Sequence, residues 1–354
     1  MAELQLPAPD GVPAIPPEPA PTAGTTIRER LARVDWRKVL EQLTPAIALG
    51  LGILSQMQAK HTITFAPKAV ALLAVAWALA AGLGEWLPEA KPDERHARWR
   101  NLLRKAAALV TVGLFRNVLF FLVPIWFASS TLGAANMFAP LLLAGGALFS
   151  CFPNKFRQTM LESPRIRTIY CSVVLFIALV PAAAVEISAS PRLSMALAAG
   201  VAWLASSLAT SRTPLTTRVG RIELGAGALV AGLIFALAAP LLPPVPVACT
   251  ASATGTGVQD REIEGAADRF PAGTKRVYAW FQVQVPRHYR QGIRFEWYRD
   301  GDRVGNVSAR EIVGGREQGY RTSSSTGSPK PGSWRVDLLT DASQLIARRH
   351  FVVE

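Results

Sequence analysis

Charge is scarce in this sequence: Asp, Glu, Lys and Arg make up 18% of its 354 residues, while 50% are hydrophobic. A soluble domain carries nearer a quarter charged residues. The apolar residues come in runs of about twenty, the length a bilayer span needs, so a wholly soluble protein is excluded. Cysteine is scarce too. Cys151, Cys171 and Cys249 are scattered without C-x-x-C spacing, which excludes a disulfide framework and a zinc knuckle. Histidine offers little, since only His288 and His350 fall in the C-terminal hundred residues, and no nucleophile, base and orienting acid assemble around them. There is no glycine-rich phosphate loop ending in Lys-Ser or Lys-Thr. Asp300 and Asp302 supply too few ligands for calcium and read as a turn. No catalytic residue, metal ligand or cofactor is assigned, and the chain reads as a non-enzyme.

What is present is positive charge, a net +13. Its distribution excludes a nucleic-acid partner, because the cations sit in alternate loops between apolar runs, as in the orientation bias of membrane proteins. Seven apolar segments are expected, at about 43–59, 68–87, 106–128, 134–153, 168–187, 191–210 and 222–243. The first is short and interrupted by Pro45, Gly50 and Gly52, so a re-entrant or tilted course is an alternative to a full span. Five cations precede it (Arg28, Arg30, Arg33, Arg37, Lys38), and six occupy the 88–105 loop. Lys155, Arg157, Arg165 and Arg167 fill the fourth connection, and Arg212, Arg218 and Arg221 the sixth. The other connections hold Lys60 and Lys68, then none, then Arg192 alone. All basic stretches therefore fall on one side, which predicts an inner-membrane protein with a cytoplasmic N-terminus and a periplasmic C-terminal domain.

Residues 1–26, with seven prolines, read as a disordered cytoplasmic tail. Residues 27–42 place Ile27, Leu31 and Val34 at helical spacing beside arginines, which suits either an amphipathic helix for a membrane face or an ordinary solvated lead-in helix. The transmembrane domain spans 43–245. Beyond LLPPVPVACT, residues 250–354 change character. Val277, Ala279, Phe281, Val283 and Val285 alternate with Tyr278, Trp280, Gln282 and Gln284, the period of a half-buried strand. Further strands are expected at 293–299, 333–340 and 344–353, with turns at Asp300-Gly301 and Asp341-Ala342-Ser343. The expected fold is thus a polytopic α-helical bundle of about seven spans followed by an all-β, immunoglobulin-like sandwich.

The stretches CTASATGTGVQDREIEGAADRFPAGTKRVYAWFQV, FEWYRDGDRV, GGREQGYRTSSS and PGSWRVDLLTDASQLIARRHFVV resemble the bacterial family called domain of unknown function 2914. The hydrophobic region ahead of them is similar to domain of unknown function 5924. The resemblance implies a bacterial envelope protein with a membrane region and a terminal β domain, and supplies no activity or ligand.

Two groups of residues stand out as candidate sites. Arg116 and Asn117 lie mid-way along the third segment, where an arginine must face protein or water and find a partner. They read either as an anion or lipid-headgroup site or as a structural pair, with Glu85 or Glu223 as distant partners. In the C-terminal domain, Arg287, Tyr289 and Arg290, and Arg316, Tyr320 and Arg321, interleave cations with aromatics in turn-rich sequence. They suit an anionic or sugar ligand, while Gly314, Gly315 and Gly319 suit backbone bends. Small residues at Ala228, Gly232 and Ala236, and at Ala198 and Ala202, suit close helix packing within the bundle or in an oligomer. The expected function is a non-catalytic membrane protein whose sandwich binds an envelope protein, glycan or anionic lipid. The alternative is a transporter or lipid-handling protein with its site around Arg116.

Overall fold

The computed structural model describes Gly50 and residues 97–152, 164–187, 190–210, 213–305, 308–316 and 318–354. The tail at 1–26, the helix at 27–42 and, Gly50 apart, the segments at 43–59 and 68–87 lie outside the described residues.

The longer described helices are α1 (Ala97–Ala128), α2 (Phe138–Phe149), entered through a single tight turn at Ala135–Met137, α3 (Pro164–Glu186), α4 (Pro191–Thr210) and α5 (Arg218–Leu237), with one helical turn at Thr213–Thr216 before α5. The segments expected at 106–128, 134–153, 168–187, 191–210 and 222–243 each fall on one of them. Three helical stretches, Arg165–Glu186, Pro191–Thr210 and Arg218–Leu237, are long and apolar enough to cross a membrane. Val118–Ala128 and Ala135–Phe149 are apolar but shorter. The helix starts are chemically marked: proline opens α3 and α4, where its missing N–H costs nothing, and the Thr217 hydroxyl caps α5 by accepting from Gly220 N at 3.0 Å.

The helices pack as an antiparallel bundle. Arg167 at the start of α3 donates to Thr210 O at the end of α4 across 3.0 Å, and the Thr168 and Thr210 hydroxyls meet at 2.7 Å. Phe176 stacks on Phe235 with ring centroids 3.8 Å apart, joining α3 to α5, and Trp126 Nε1 of α1 donates to Ile177 O. Small residues bring α4 and α5 together, as their spacing predicts. A Cβ on Gly232 would stand 3.0 Å from Ala196 O, and one on Gly200 would stand 3.5 Å from Ala228 O. Gly232→Val is therefore expected to cost about 1–3 kcal/mol by forcing the helices apart. Gly225→Val, which points into open space, should cost less. Detergent-induced unfolding of the full chain measures both, and equal losses would refute the packing argument.

The C-terminal region is β-sandwich-like. Its strands are β1 (Ala248–Gly255), β2 (Gly257–Gln259), β3 (Glu262–Glu264), β4 (Arg269–Phe270), β5 (Arg276–Gln284), β6 (Arg290–Arg299), β7 (Asp302–Arg303), β8 (Ser308–Val313), β9 (Tyr320–Gly327), β10 (Gly332–Thr340) and β11 (Leu345–Val353). One sheet has the order β1-β5-β9, and the other β4-β11-β10-β6 with β7 and β8 both pairing with β6. The expected strands at 277–285, 293–299, 333–340 and 344–353 are β5, β6, β10 and β11. Asp300 and Gly301 both have positive φ, +51° and +97°, the twist a two-residue hairpin needs.

Between the sheets lie Val277, Phe281 and Val283 of β5 against Phe295, Trp334, Val336 and Phe351. The other face of β5 is covered rather than solvated. The hairpin of β2 and β3 folds toward it, and Trp280, 6% exposed, donates its indole N–H to Arg261 O at 2.7 Å.

Candidate functional site

The sandwich stands on the end of the bundle opposite Arg165, Arg167, Arg218 and Arg221. Among the described residues, four side-chain hydrogen bonds join the two parts. Thr131 Oγ1 donates to Ile346 O at 3.3 Å and Asn136 Nδ2 to Leu345 O at 2.9 Å. Gln344 Nε2 donates to Leu242 O at 3.4 Å and Pro243 O at 3.2 Å. Between them is a small cavity of about 10 Å³ lined by Val180 and Ala184 of α3, Ser194 and Met195 of α4, and Tyr289 and Gln291 of the sandwich. Such buried polar side chains are costly unless paired, so they fix one seating of the sandwich on the helices.

This junction resolves the arginine and tyrosine candidates. Tyr289 is not a surface residue: it is 4% exposed, its hydroxyl lies 3.4 Å from Gln291 Oε1, and burial pushes its phenol well above the ordinary range. Its neighbours Arg287 and Arg290 are exposed. Gly314 N donates to Tyr289 O at 2.9 Å, and a Cβ on Gly315 would stand 3.5 Å from Arg287 Cγ, so the loop after β8 lies against the turn after β5. Any side chain at Gly314 would strike Pro286 O, which explains glycine there. Arg316 is exposed and lies over the Tyr320 ring at 5.0 Å. Arg321 is engaged, 2.7 Å from Glu262 and 3.2 Å from Gln318 Oε1. Of the six candidates, Arg287, Arg290 and Arg316 are thus left open at one end of the sandwich. Glu317 lies outside the described residues. Arg116 and Asn117 fall within α1, and their side chains lie outside the described residues; Glu223 is exposed on α5.

A second charged cluster was legible only in part. Arg294, Glu296 and Tyr298 of β6 and Arg335 and Asp337 of β10 alternate with core residues, so their outward face follows from period two. Their juxtaposition follows from register, which sets Glu296 opposite Asp337 and Arg348 on its other side. Two carboxylates side by side repel, and the arginines offset this. Arg348 grips Asp337 bidentately at 2.7 and 2.8 Å, which lifts its own pKa. Arg335 approaches Asp337 at 3.5 Å and stacks on Tyr298 at 4.0 Å. Glu296 accepts from Arg294 at 3.0 Å and from the Tyr298 hydroxyl at 2.7 Å, with Arg303 at 3.5 Å.

Burial alone would raise the Glu296 carboxyl; the Tyr298 and Arg294 hydrogen bonds and the Arg303 charge outweigh it and hold the group below its usual range. A depressed folded pKa means that this stabilisation is full above the ordinary carboxylate pKa of about 4.3 and drains as pH falls through the lower folded value. Melting of Glu296→Gln against wild type should show the two converging only below about pH 4. A constant gap from pH 7 to pH 3 would refute the assignment.

Among the described residues no group of three His, Cys, Asp or Glu side chains is placed to hold a metal ion. Burial pushes the Cys249 thiol up to about 11, with the Ala251 carbonyl in hydrogen-bond reach, so little thiolate nucleophile forms at neutral pH.

Fold and junction together define a class: a helical bundle with candidate membrane spans carrying a docked, β-sandwich-like domain. Residues 290–353, running from the first residue of β6 to the last of β11, match the family model described as Protein of unknown function (DUF2914). The match covers β6 to β11 of the C-terminal region and leaves out β1–β5 and the helices. No curated protein and no solved structure matches the chain.

Proposed function

We propose that this chain is a non-catalytic inner-membrane protein of about seven spans, with a cytoplasmic N-terminus, whose periplasmic, immunoglobulin-like sandwich binds an envelope component or partner protein through an anionic group. The observation that carries this reading is the trio Arg287, Arg290 and Arg316, exposed on the two turns that flank the buried anchor Tyr289. Guanidinium groups on a backbone held by packing are suited to carboxylate or phosphate, because little order is lost on binding. Tyr289 shares a junction cavity with Gln344, whose side chain donates to Pro243 O, so the arginine turns stand next to the contacts that seat the sandwich on the helices.

The test is the melting of the full chain against peptidoglycan fragments, lipopolysaccharide sugars, anionic headgroups and divalent cations. A ligand at a hundred times its dissociation constant adds about 2.7 kcal/mol. A shift that Arg287→Gln/Arg290→Gln/Arg316→Gln abolishes supports the reading. No shift from any compound, in a protein that melts cooperatively, overturns it in favour of the bundle, where Arg116→Leu is the variant to examine.

A further inference from the structure

We infer that Arg287, Arg290 and Arg316, together with Arg192 at the start of α4, form a docking surface for the anionic phospholipid headgroups of the bilayer that the helices cross. This deepens the reading above and rests on it, since it names the anionic partner and takes the helices as spans.

Tyr289 and Gln291 share a cavity with Val180 and Met195. The same cavity is lined by Ile187 and Pro191 at the ends of α3 and α4, and Ala184 and Val185 in the last turn of α3 pack against the core cluster that contains Tyr289, so Tyr289 sits at the level of the helix ends. A side chain seated there pins its own turn where the helices end, which for a spanning helix is the headgroup layer. Arg287 and Arg290 flank it within two residues, and Arg192 follows Pro191, which lines the same cavity.

The rim borders an apolar surface. Leu193 and Leu197 of α4 are 49% and 46% exposed, and Leu237 and Leu241, where α5 runs toward the sandwich, are 72% and 59% exposed. Exposed leucines below and arginines above is the arrangement that lets guanidinium groups reach phosphate while their stems lie on acyl chains. Tyr320 beneath Arg316 adds the amphipathic ring that interfaces favour.

The rim cations are also uncommitted. Arg294, Arg303, Arg335 and Arg348 on the sheet are each held by a carboxylate, whereas Arg261, Arg276 and Arg310 are exposed like the rim cations, so it is position at the junction that singles out the rim. Among the described residues, Arg192, Arg287, Arg290 and Arg316 make no side-chain hydrogen bond or ion pair. Carboxylates also border this end: Glu311 and Asp341 lie at Gly292, two residues from Arg290 and away from Arg287 and Arg316, and Glu186, exposed at the last residue of α3, is engaged elsewhere. Orientation bias does not account for the rim, because Arg165, Arg167, Arg218 and Arg221 stand at the opposite end of the bundle.

The test uses the full chain in phosphatidylcholine vesicles doped with a photoactivatable headgroup probe on either phosphatidylglycerol or phosphatidylcholine, followed by mapping of crosslinked peptides. Peptides from 286–292 and 313–321 should carry about tenfold more of the phosphatidylglycerol probe. Arg192→Gln/Arg287→Gln/Arg290→Gln/Arg316→Gln should abolish that preference while peptides at the basic end of the bundle stay labelled, which verifies insertion. Equal labelling by the two probes, or an unchanged preference in the variant, overturns the inference. Loss of labelling on adding millimolar inorganic phosphate overturns it too, by revealing a small-anion site. A soluble compound that shifts melting through the same arginines, with no phosphatidylglycerol preference, would sink this inference and leave the broader reading standing.

Discussion

Phe351→Ala is expected to destabilise the sandwich by about 3–5 kcal/mol, the range for emptying a buried aromatic site. Phe351 is 2% exposed and touches three other rings: it stacks on Trp334 at 5.8 Å and meets Phe270 and Trp297 edge-on at 5.7 and 6.2 Å. These four rings come from β4, β6, β10 and β11, so no single shift closes the void that alanine leaves. Because Trp297 and Trp334 report on the cluster, denaturant unfolding followed by tryptophan fluorescence reads the loss directly. Phe351→Leu, which keeps most of the volume, should cost well under half as much. A loss below about 1 kcal/mol would mean that the site collapses freely, contrary to a close-packed core.

Arg348→Leu should cost about 3 kcal/mol for a different reason. The Asp337 side chain is 5% exposed, and Arg348 supplies its two shortest hydrogen bonds. Without that guanidinium, Asp337 faces Glu296 across the sheet with only Arg335, at 3.5 Å, in support. The cost arises from the stranded carboxylate more than from the lost attraction, so Asp337→Leu/Arg348→Leu should recover most of it. A double variant less stable than Arg348→Leu would show that the pair is favourable in itself. Neither substitution touches the rim arginines, so ligand or lipid binding by the folded fraction should be unchanged.

The helical part was largely legible because hydrocarbon imposes a length and a composition on any span, and five expected segments coincide with described helices. Hydropathy alone set too coarse a measure for α2: the segment at 134–153 was expected as a span, while the apolar helical stretch there, Ala135–Phe149, is shorter than the three candidate spans. In the sandwich, strands with strict alternation were found, and β1 and β9 were not. The β9 sequence YRTSSSTG is serine-rich and lacks an apolar face of its own; pairing with β5 makes it a strand.

The candidate site divides in the same way. Arginine and aromatic residues in turn-rich sequence point to recognition, and Arg287, Arg290 and Arg316 are indeed exposed. Tyr289 and Arg321 have the same local pattern and are occupied, one by the bundle and one by Glu262. Local sequence is silent on partners 100 or more residues away, such as the carbonyls of Leu242 and Pro243 that receive Gln344.

By itself, then, the sequence determined what solvent dictates: apolar runs of span length, alternate basic loops, period-two strands, and turns where a positive φ is needed. These are local responses to water, hydrocarbon or backbone sterics, and each is written within about twenty residues. Only the tertiary structure decided which polar groups are used up and which stand free, because pairing of charges and hydrogen bonds depends on register and docking across the whole chain. That selection leaves three of the six candidate residues, Arg287, Arg290 and Arg316, exposed and unpaired among the described residues.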